Sequence, residues 1–377
     1  MDHHRRRCRN GARALPLLLP ALFGCSDGNR PIPIGLAGPF SDSVGAPMKR
    51  AAELAALQIN QAGGVAGRQI ALVIRNDFGD PDSAVAVAGR LASAGVVAVI
   101  GHVYSATTLA AAPVYNAAGV VQISPSSSAP RVTEAGEWTF RVCPGDAQQA
   151  EALARFVSDG LHLQRGTILY LNSEYGRGLR KAFNLEFSRL GGQIDEEVPY
   201  LTDRPDVGAY FDRLQLRDHS EFVFLAGNQQ EAGFILRQAR ARRLSIPFIG
   251  GDGLEGLQQE GSVGNGTFIS NGYLADFDSP ENKQFVQAYH AAYPSAAPPS
   301  QAAAATFDAM YLLRDRMVKV GTNRRRLRDA VADIGRGSPA FKGVTGTIAF
   351  DENGDVPQQR VVIGRVAGGR IRPVEGL

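Results

Sequence analysis

Ile32-Pro33-Ile34-Gly35-Leu36-Ala37 opens the part of the chain whose reading decides the fold. Apolar residues fall on both alternating positions, so this is a strand buried on both faces and not one with a wet side. An alanine-rich run over 46–61 follows with helical spacing and is closed by Gly63-Gly64. Working outward, 70–75 reads as a second strand, and a helix runs from Pro81 to about 94 with Asp80 placed to cap it. Strand 96–100, helix 106–117 and strand 120–123 continue the rhythm. Strands that do not alternate in polarity, joined by helices, predict a parallel sheet covered on both faces.

The rhythm then restarts. Helices are expected over 147–160, 176–190, 207–216 and 231–242, and strands over 166–171, 193–198, 221–226 and 246–249. The tail adds helices over 280–292, 302–320 and 324–334, then strand-like runs over 345–350, 360–366 and 370–373. The expected fold class is therefore α/β, with two doubly wound parallel-sheet lobes of about four strands each. No Pro-, Gly- or Ser-rich linker separates them, which places a short structured hinge near 141–146.

The start of the chain has a different character. Arg5, Arg6, Arg7, Arg9 and Arg13 precede a short leucine-rich segment at 14–23 that carries Pro16 and Pro20. A basic region before an apolar core too short to span a bilayer reads as a signal peptide, 1–24. Leu22-Phe23-Gly24-Cys25 resembles a bacterial lipobox, which implies a diacylated Cys25 and a lipid tether outside the cytoplasm. An ordinary signal with a chance cysteine, or a misplaced start codon, is the alternative.

Removal of that segment recasts the charge. The whole chain is +3 with a pI near 8.8, but residues 1–24 hold five arginines against the single acid Asp2, so the remainder is near −1. That leaves no case for nucleic-acid binding. The Arg324-Arg325-Arg326 run with Arg328 is expected on a solvated helix face. The chain from Cys25 onward, 353 of the 377 residues, is long enough for two cores. Of three cysteines, Cys8 leaves with the signal and Cys25 takes lipid, so Cys143 is expected as a small buried apolar residue.

A set of motifs now falls into register. Gly35-Leu36-Ala37-Gly38-Pro39-Phe40-Ser41, Ile59-Asn60-Gln61-Ala62-Gly63-Gly64-Val65-Ala66-Gly67, the Asp77–Pro81 segment and Val99-Ile100-Gly101-His102 come first. Ser124-Pro125-Ser126-Ser127-Ser128-Ala129-Pro130, Tyr175-Gly176-Arg177-Gly178 and Ile235-Leu236-Arg237-Gln238-Ala239-Arg240 follow. In this order and spacing the chain resembles the branched-chain amino acid (Leu/Ile/Val) binding proteins of ABC importers, over nearly the whole of the chain after the signal segment. The resemblance implies a type I periplasmic binding protein fold with a three-crossing hinge. Lobe 1 would comprise 30–145 plus 275–350, and lobe 2 would comprise 146–274 plus 351–377, with a ligand cleft between them.

Open α/β sheets bind ligands beyond the carboxyl ends of their strands, where this chain places small polar residues. Ser105 opens a helix after a strand, and a helix N-terminus with free amides suits a carboxylate. Ser126 and Ser128 follow the next strand. Capping and turn formation are the alternative roles for these serines. Asp252, in Gly250-Gly251-Asp252-Gly253, can pair with an ammonium group or serve as a turn residue. Tyr175 can stack on a ligand and donate its hydroxyl. The resemblance implies that Ser105, Ser126 and Ser128 hold an α-carboxylate, that Asp252 receives the α-amino group and that Tyr175 covers the ligand.

Departures from the family pattern reshape the pocket. Val44 and Asn228 stand where relatives often carry tyrosine, while Tyr104 and Gly79 occupy the two positions of a disulfide that can occur there. The expected function is capture of a small amino acid, branched-chain or related, and its delivery to permease and ATPase subunits on other chains by a monomeric, lipid-anchored protein. A sensor of the same fold with an amide or carboxylate ligand is one rival. A secreted NAD-dependent oxidoreductase using the GxGxxG-like glycines 251–256 is the other. Neither a GxSxG elbow, a Walker A loop nor HExxH spacing occurs, so no catalytic residue, metal ligand or cofactor is expected. His102 reads as structural and without an acid partner.

Overall fold

The computed structural model describes Met1 and residues 30–201, 204–217 and 219–374. The signal segment and Cys25 therefore lie outside the described residues. The first half runs β1 (Ile32–Gly38), α1 (Gly45–Gln61), β2 (Ile70–Asn76), α2 (Pro81–Ser93), β3 (Ala98–Ile100), α3 (Ser105–Ala118), β4 (Val121–Ser124) and β5 (Thr139–Arg141). Next come α4 (Asp146–Arg155), β6 (Arg165–Leu171), α5 (Glu174–Arg189), β7 (Gln193–Tyr200), α6 (Gly208–Arg217), β8 (Phe222–Ala226), α7 (Gln229–Ala241), β9 (Phe248–Gly250) and β10 (Phe268–Asn271). The tail holds α8 (Pro280–Ala292), α9 (Gln301–Val320), α10 (Arg324–Ala332), β11 (Phe341–Gly343), β12 (Gly346–Ile348), β13 (Val362–Ala367) and β14 (Arg370–Pro373).

Two sheets carry the molecule. The first has the order β2-β1-β3-β4-β5 and is parallel throughout. Ile34 and Leu36 of β1 pack with Met48 of α1, Leu313 of α9 and Leu327 of α10 on one face. Ala37 and Val99 pack with Leu91 of α2 and Tyr115 of α3 on the other. The second sheet has the order β14-β13-β10-β9-β8-β6-β7. Along β8, Val223 and Leu225 meet α6 and α7, while Phe222 and Phe224 meet α4 and α5. The Phe183 and Phe224 rings stack with centroids 3.8 Å apart. Each such buried side chain contributes about 1.5–3 kcal/mol, which is why strands apolar on both faces need helices on both sides.

The sheets are larger than the expected four strands. β5, three residues long, and β10, four residues long, were not expected, and β13 and β14 extend the second sheet further. The second sheet is also not wholly parallel, because β13 runs antiparallel to β10 and β14 antiparallel to β13. The expected strand at 345–350 shrinks to β12 and pairs with β11 in a separate hairpin.

The Arg324–Arg328 cluster is not a merely solvated face. Arg324 donates to the carbonyl oxygens of Val96 (Nε, 2.9 Å) and Ala118 (3.2 Å), tying α10 to the approach to β3 and the end of α3. Arg325 pairs with Glu137 at 2.9 Å. Cys143 is buried and free, as expected.

The chain passes between the sheets three times: from β5 to α4, from β10 to α8 and from β12 to β13. The first and third passages are tied by Arg141, 3 % exposed, whose Nε donates to Asp355 Oδ1 at 2.7 Å and whose amide donates to Gly354 O. The first and second touch at Gly272, where a Cβ would lie 2.6 Å from Pro144 Cδ. Three passages side by side let one sheet swing relative to the other about a single axis.

Candidate functional site

The loops at the carboxyl ends of β1, β3, β4, β6, β8 and β9 meet around a cavity of about 40 Å³ between the two sheets. Val44, Val103, Tyr104, Ser105, Ser126, Tyr175, Asn228, Asp252, Gly253, Glu255, Gln301 and Ala302 line it. Six of the seven residues singled out from the sequence are thus brought together, and Ser128 is not. Ser128 is 1 % exposed and lies behind the cavity wall, its carbonyl accepting from Asp146 N at 2.9 Å and Arg141 Nη1 at 2.7 Å. A larger cavity of 420 Å³ sits elsewhere, on the flanks of α8, α9 and β11, away from the carboxyl ends of the two large sheets.

One side of the site is built from β3 and β4. α3 begins at Ser105 with Tyr104 in the capping position and no side chain accepting from its first amides. Those amides keep their partial positive charge at the cavity wall. Ser105 is not the cap itself; its Oγ accepts from Ala129 N at 3.2 Å, which joins the two serine loops. Tyr104 donates its hydroxyl to Asp42 at 2.7 Å. A Cβ on Gly79 would lie 2.9 Å from the Tyr104 ring, so the positions that could carry a disulfide are in contact here through a ring over a glycine.

The opposite side is built around Asp252. Its Oδ1 accepts from the Tyr175 hydroxyl at 3.1 Å and its Oδ2 accepts from Gln301 Nε2 at 3.0 Å. The glycines around it make room for Tyr175: a Cβ on Gly251 would lie 2.5 Å from the Tyr175 oxygen, and one on Gly253 would lie 2.7 Å from Cε1. The motif at 251–256 therefore seats a tyrosine ring. One three-residue turn lies within it, Asp252–Leu254, and another follows at Leu257–Gln259 in place of a helix, which leaves no helix dipole for a pyrophosphate.

Charge is unbalanced here. Among the described residues no Lys, Arg or His lines the cavity, but Asp252 and Glu255 both do. Burial raises the Asp252 carboxyl above its ordinary value against the pull of Gln301, Gln149 and Tyr175. Burial, with the Asp252 charge nearby, pushes Glu255 up to about 8 although the Gln301 amide opposes it. Behind them the fully buried Asp146 is raised to about 7 by desolvation. Such a group of acids gains from a cation placed among them.

Asn228 caps the site from α7, its amide donating to Glu231 at 3.0 Å. The cleft is bridged: Ser43 Oγ donates to Gln229 Oε1 at 2.7 Å, and Arg131 pairs with Glu174 at 3.3 Å. Beneath the side built from β3 and β4, and contrary to expectation, His102 does have an acid partner. Its Nδ1 lies 2.5 Å from Asp77 Oδ2 and its Nε2 lies 3.2 Å from Tyr115 Oη, all buried. Asp77 comes from the end of β2, 25 residues away, which local spacing could not show. Gln301, Glu255 and Gln149 were also not singled out. Glu255 had a signal, three residues beyond Asp252 in the same loop; Gln301 arrives from a distant helix and had none.

A family model described as periplasmic binding protein matches residues 31–370. The chain belongs to that family. It is 30% identical over 334 residues to the leucine-, isoleucine-, valine-, threonine-, and alanine-binding protein of Pseudomonas aeruginosa, covering 86% of this chain and 87% of that one. An ABC transporter substrate-binding protein of Desulfitobacterium hafniense, solved with Leu, superposes with TM-score 0.80 at 29% identity, over 92% of this chain and 100% of that one. The branched-chain amino acid transporter substrate-binding protein of Streptococcus pneumoniae, solved with isoleucine, gives TM-score 0.83 at 26% identity, covering 91% and 99%. The two solved proteins are transporter substrate-binding proteins, and the fold seen here is theirs.

Proposed function

We propose that this protein is an extracytoplasmic solute-binding lipoprotein that captures a small α-amino acid, branched-chain or related, and delivers it to an ABC permease. The observation that carries the reading is the cavity itself. It sets an uncapped helix N-terminus with Ser105 and Ser126 in one wall, and the carboxylate of Asp252, with no basic side chain among the lining residues, in another. A zwitterion satisfies both, because its carboxylate meets amides and a hydroxyl while its ammonium meets Asp252. Contacts to both walls would favour the closed arrangement of the two sheets, which is the state a permease can distinguish.

The lobes of this reading are 30–145 plus 275–350 and 146–274 plus 351–377, and the permease and ATPase are other chains. The signal peptide is 1–24, and acylated Cys25 tethers the protein to a membrane. The test is calorimetry of the protein lacking 1–24 against L-amino acids, their amides and plain carboxylates. Saturable binding of α-amino acids, lost on removing either charged group of the ligand, supports the proposal. Binding of plain carboxylates alone would refute the amino-acid reading. For the tether, Cys25→Ser should move the full-length protein from the membrane to the soluble fraction, and unchanged membrane association would refute it.

A further inference from the structure

The cavity between Ser105 and Asp252 is small. At about 40 Å³ it holds about three waters, which is room for the carboxylate and ammonium head of an amino acid and little of its side chain. A second chamber of about 380 Å³ adjoins it, and the two share Val44 and Glu255 as wall residues. Val44, a short side chain, and Glu255 thus form the wall common to both chambers. The outer chamber is mixed in character: Asp42, Ser43, Gln258 and Ser300 line it beside Ala46, Pro47, Ala296 and Pro298. A branched aliphatic side chain entering it would leave those polar groups without partners.

Glu255 stands at the wall in a position to read what passes. Both of its oxygens accept from the Gln301 main-chain amide, at 3.1 and 3.0 Å, with the Asn271 side chain also beside the carboxylate, and four lone-pair sites leave acceptor capacity beyond these. Asp252 lies on the inner side of the same loop. Among the described residues Arg50 is the one basic residue bordering the outer chamber, against Asp42 and Glu255, so acids outnumber bases along the path.

Building on the amino-acid reading above, we propose that the ligand is an α-amino acid whose extended side chain passes Val44 into the outer chamber and carries a second cationic nitrogen bonded by Glu255. The class is that of L-lysine and L-ornithine. Within the family fold, Glu255 then acts as the residue that selects the side chain, while Asp252 binds the α-ammonium common to all amino acids. Desolvation holds Glu255 up to about 8 without ligand, and an arriving cation lowers it, so binding near neutral pH also releases a proton.

The experiment is calorimetry of the protein lacking 1–24 with L-lysine, L-ornithine, L-glutamine and L-leucine. The expected result is lysine or ornithine binding at least about tenfold tighter than leucine, a difference of about 1.4 kcal/mol. Glu255→Gln keeps an acceptor for the Gln301 amide and should bring the lysine-to-leucine ratio close to one. Val44→Tyr leaves Glu255 in place and narrows the passage, so it should lower the same ratio if Glu255→Gln fails to fold. Leucine or glutamine binding as tightly as lysine in the native protein overturns the proposal and leaves the amino-acid reading standing. A lysine preference unchanged by either variant overturns the role of Glu255. Failure of every α-amino acid to bind overturns the underlying reading as well.

Discussion

Replacing Asp252 by asparagine should separate ligand affinity from stability, and the geometry fixes the sign of each effect. In the native protein the carboxylate accepts from Tyr175 and from Gln301 Nε2 and has no basic partner among the cavity residues. The bound ammonium of an amino acid would be its only counter-charge. Removing one partner of a buried charge pair costs about 2–5 kcal/mol, which is about 30-fold to 4,000-fold in Kd. Stability moves differently. The asparagine side chain keeps one acceptor, and because Gln301 Oε1 is already held by Gly272 N, the Gln301 amide cannot turn to supply another. The loss is about 1 kcal/mol for one hydrogen bond. Against this, the Asp252 carboxyl has its folded pKa raised by burial, so its stabilising contribution is present at low pH and lost as pH rises through that value. Asparagine removes that loss. The ligand-free variant should therefore melt within about 3 °C of the native protein at pH 8, while binding collapses. Paired calorimetry and thermal melts decide it. Affinity within threefold of native would reduce Asp252 to a turn residue, and a large fall in the melting midpoint would show that its role is structural.

Other outcomes follow from the same geometry. Ser105→Ala should weaken amino-acid binding by about 1–2 kcal/mol, less than Asp252→Asn, because the α3 amides remain; an equal loss by calorimetry would mean the hydroxyl carries the site. Glu255, Asp146 and Asp308 are raised to about 8, 7 and 6 by burial, all above their unfolded values. Their stabilisation is present near pH 4 and lost as pH rises through 6–8, so the ligand-free melting midpoint should fall between pH 5.5 and about 8.5, and a rise over that range would contradict the assignment. Arg141→Met strands Asp355 of the third passage and the carbonyls of Ser128 and Ala129. A loss of about 3–5 kcal/mol is expected, read as a drop of about 4–7 °C in a thermal melt.

Much of the fold was legible because it is written locally. The double-faced apolar strands at 32–37 and 221–226 could only be covered on both sides, and α8 was read to the residue from Pro280 and the apolar spacing after it. Asp80 does cap α2, accepting from Ser83 N at 2.7 Å. What was not legible had no local signature. The three-residue β5 and the four-residue β10 are strands because neighbouring edges complete their hydrogen bonds, and β13 reverses direction because β10 offers an edge. For the site, Ser105, Ser126, Tyr175 and Asp252 could be named because strand ends are where open α/β sheets bind.

The sequence by itself determined two covered sheets, the order of their helices and the loops that carry polar groups. Those follow from side-chain period and capping, which act over a few residues. Tertiary structure alone decided that Gln301 bridges Asp252 and Glu255, that Asp77 pairs with His102 and that Ser128 stands behind the wall. Hydrogen bonding and desolvation act over a few ångströms whatever the separation along the chain, so these partners exist only once the strands have been laid side by side and the three passages have brought the sheets together.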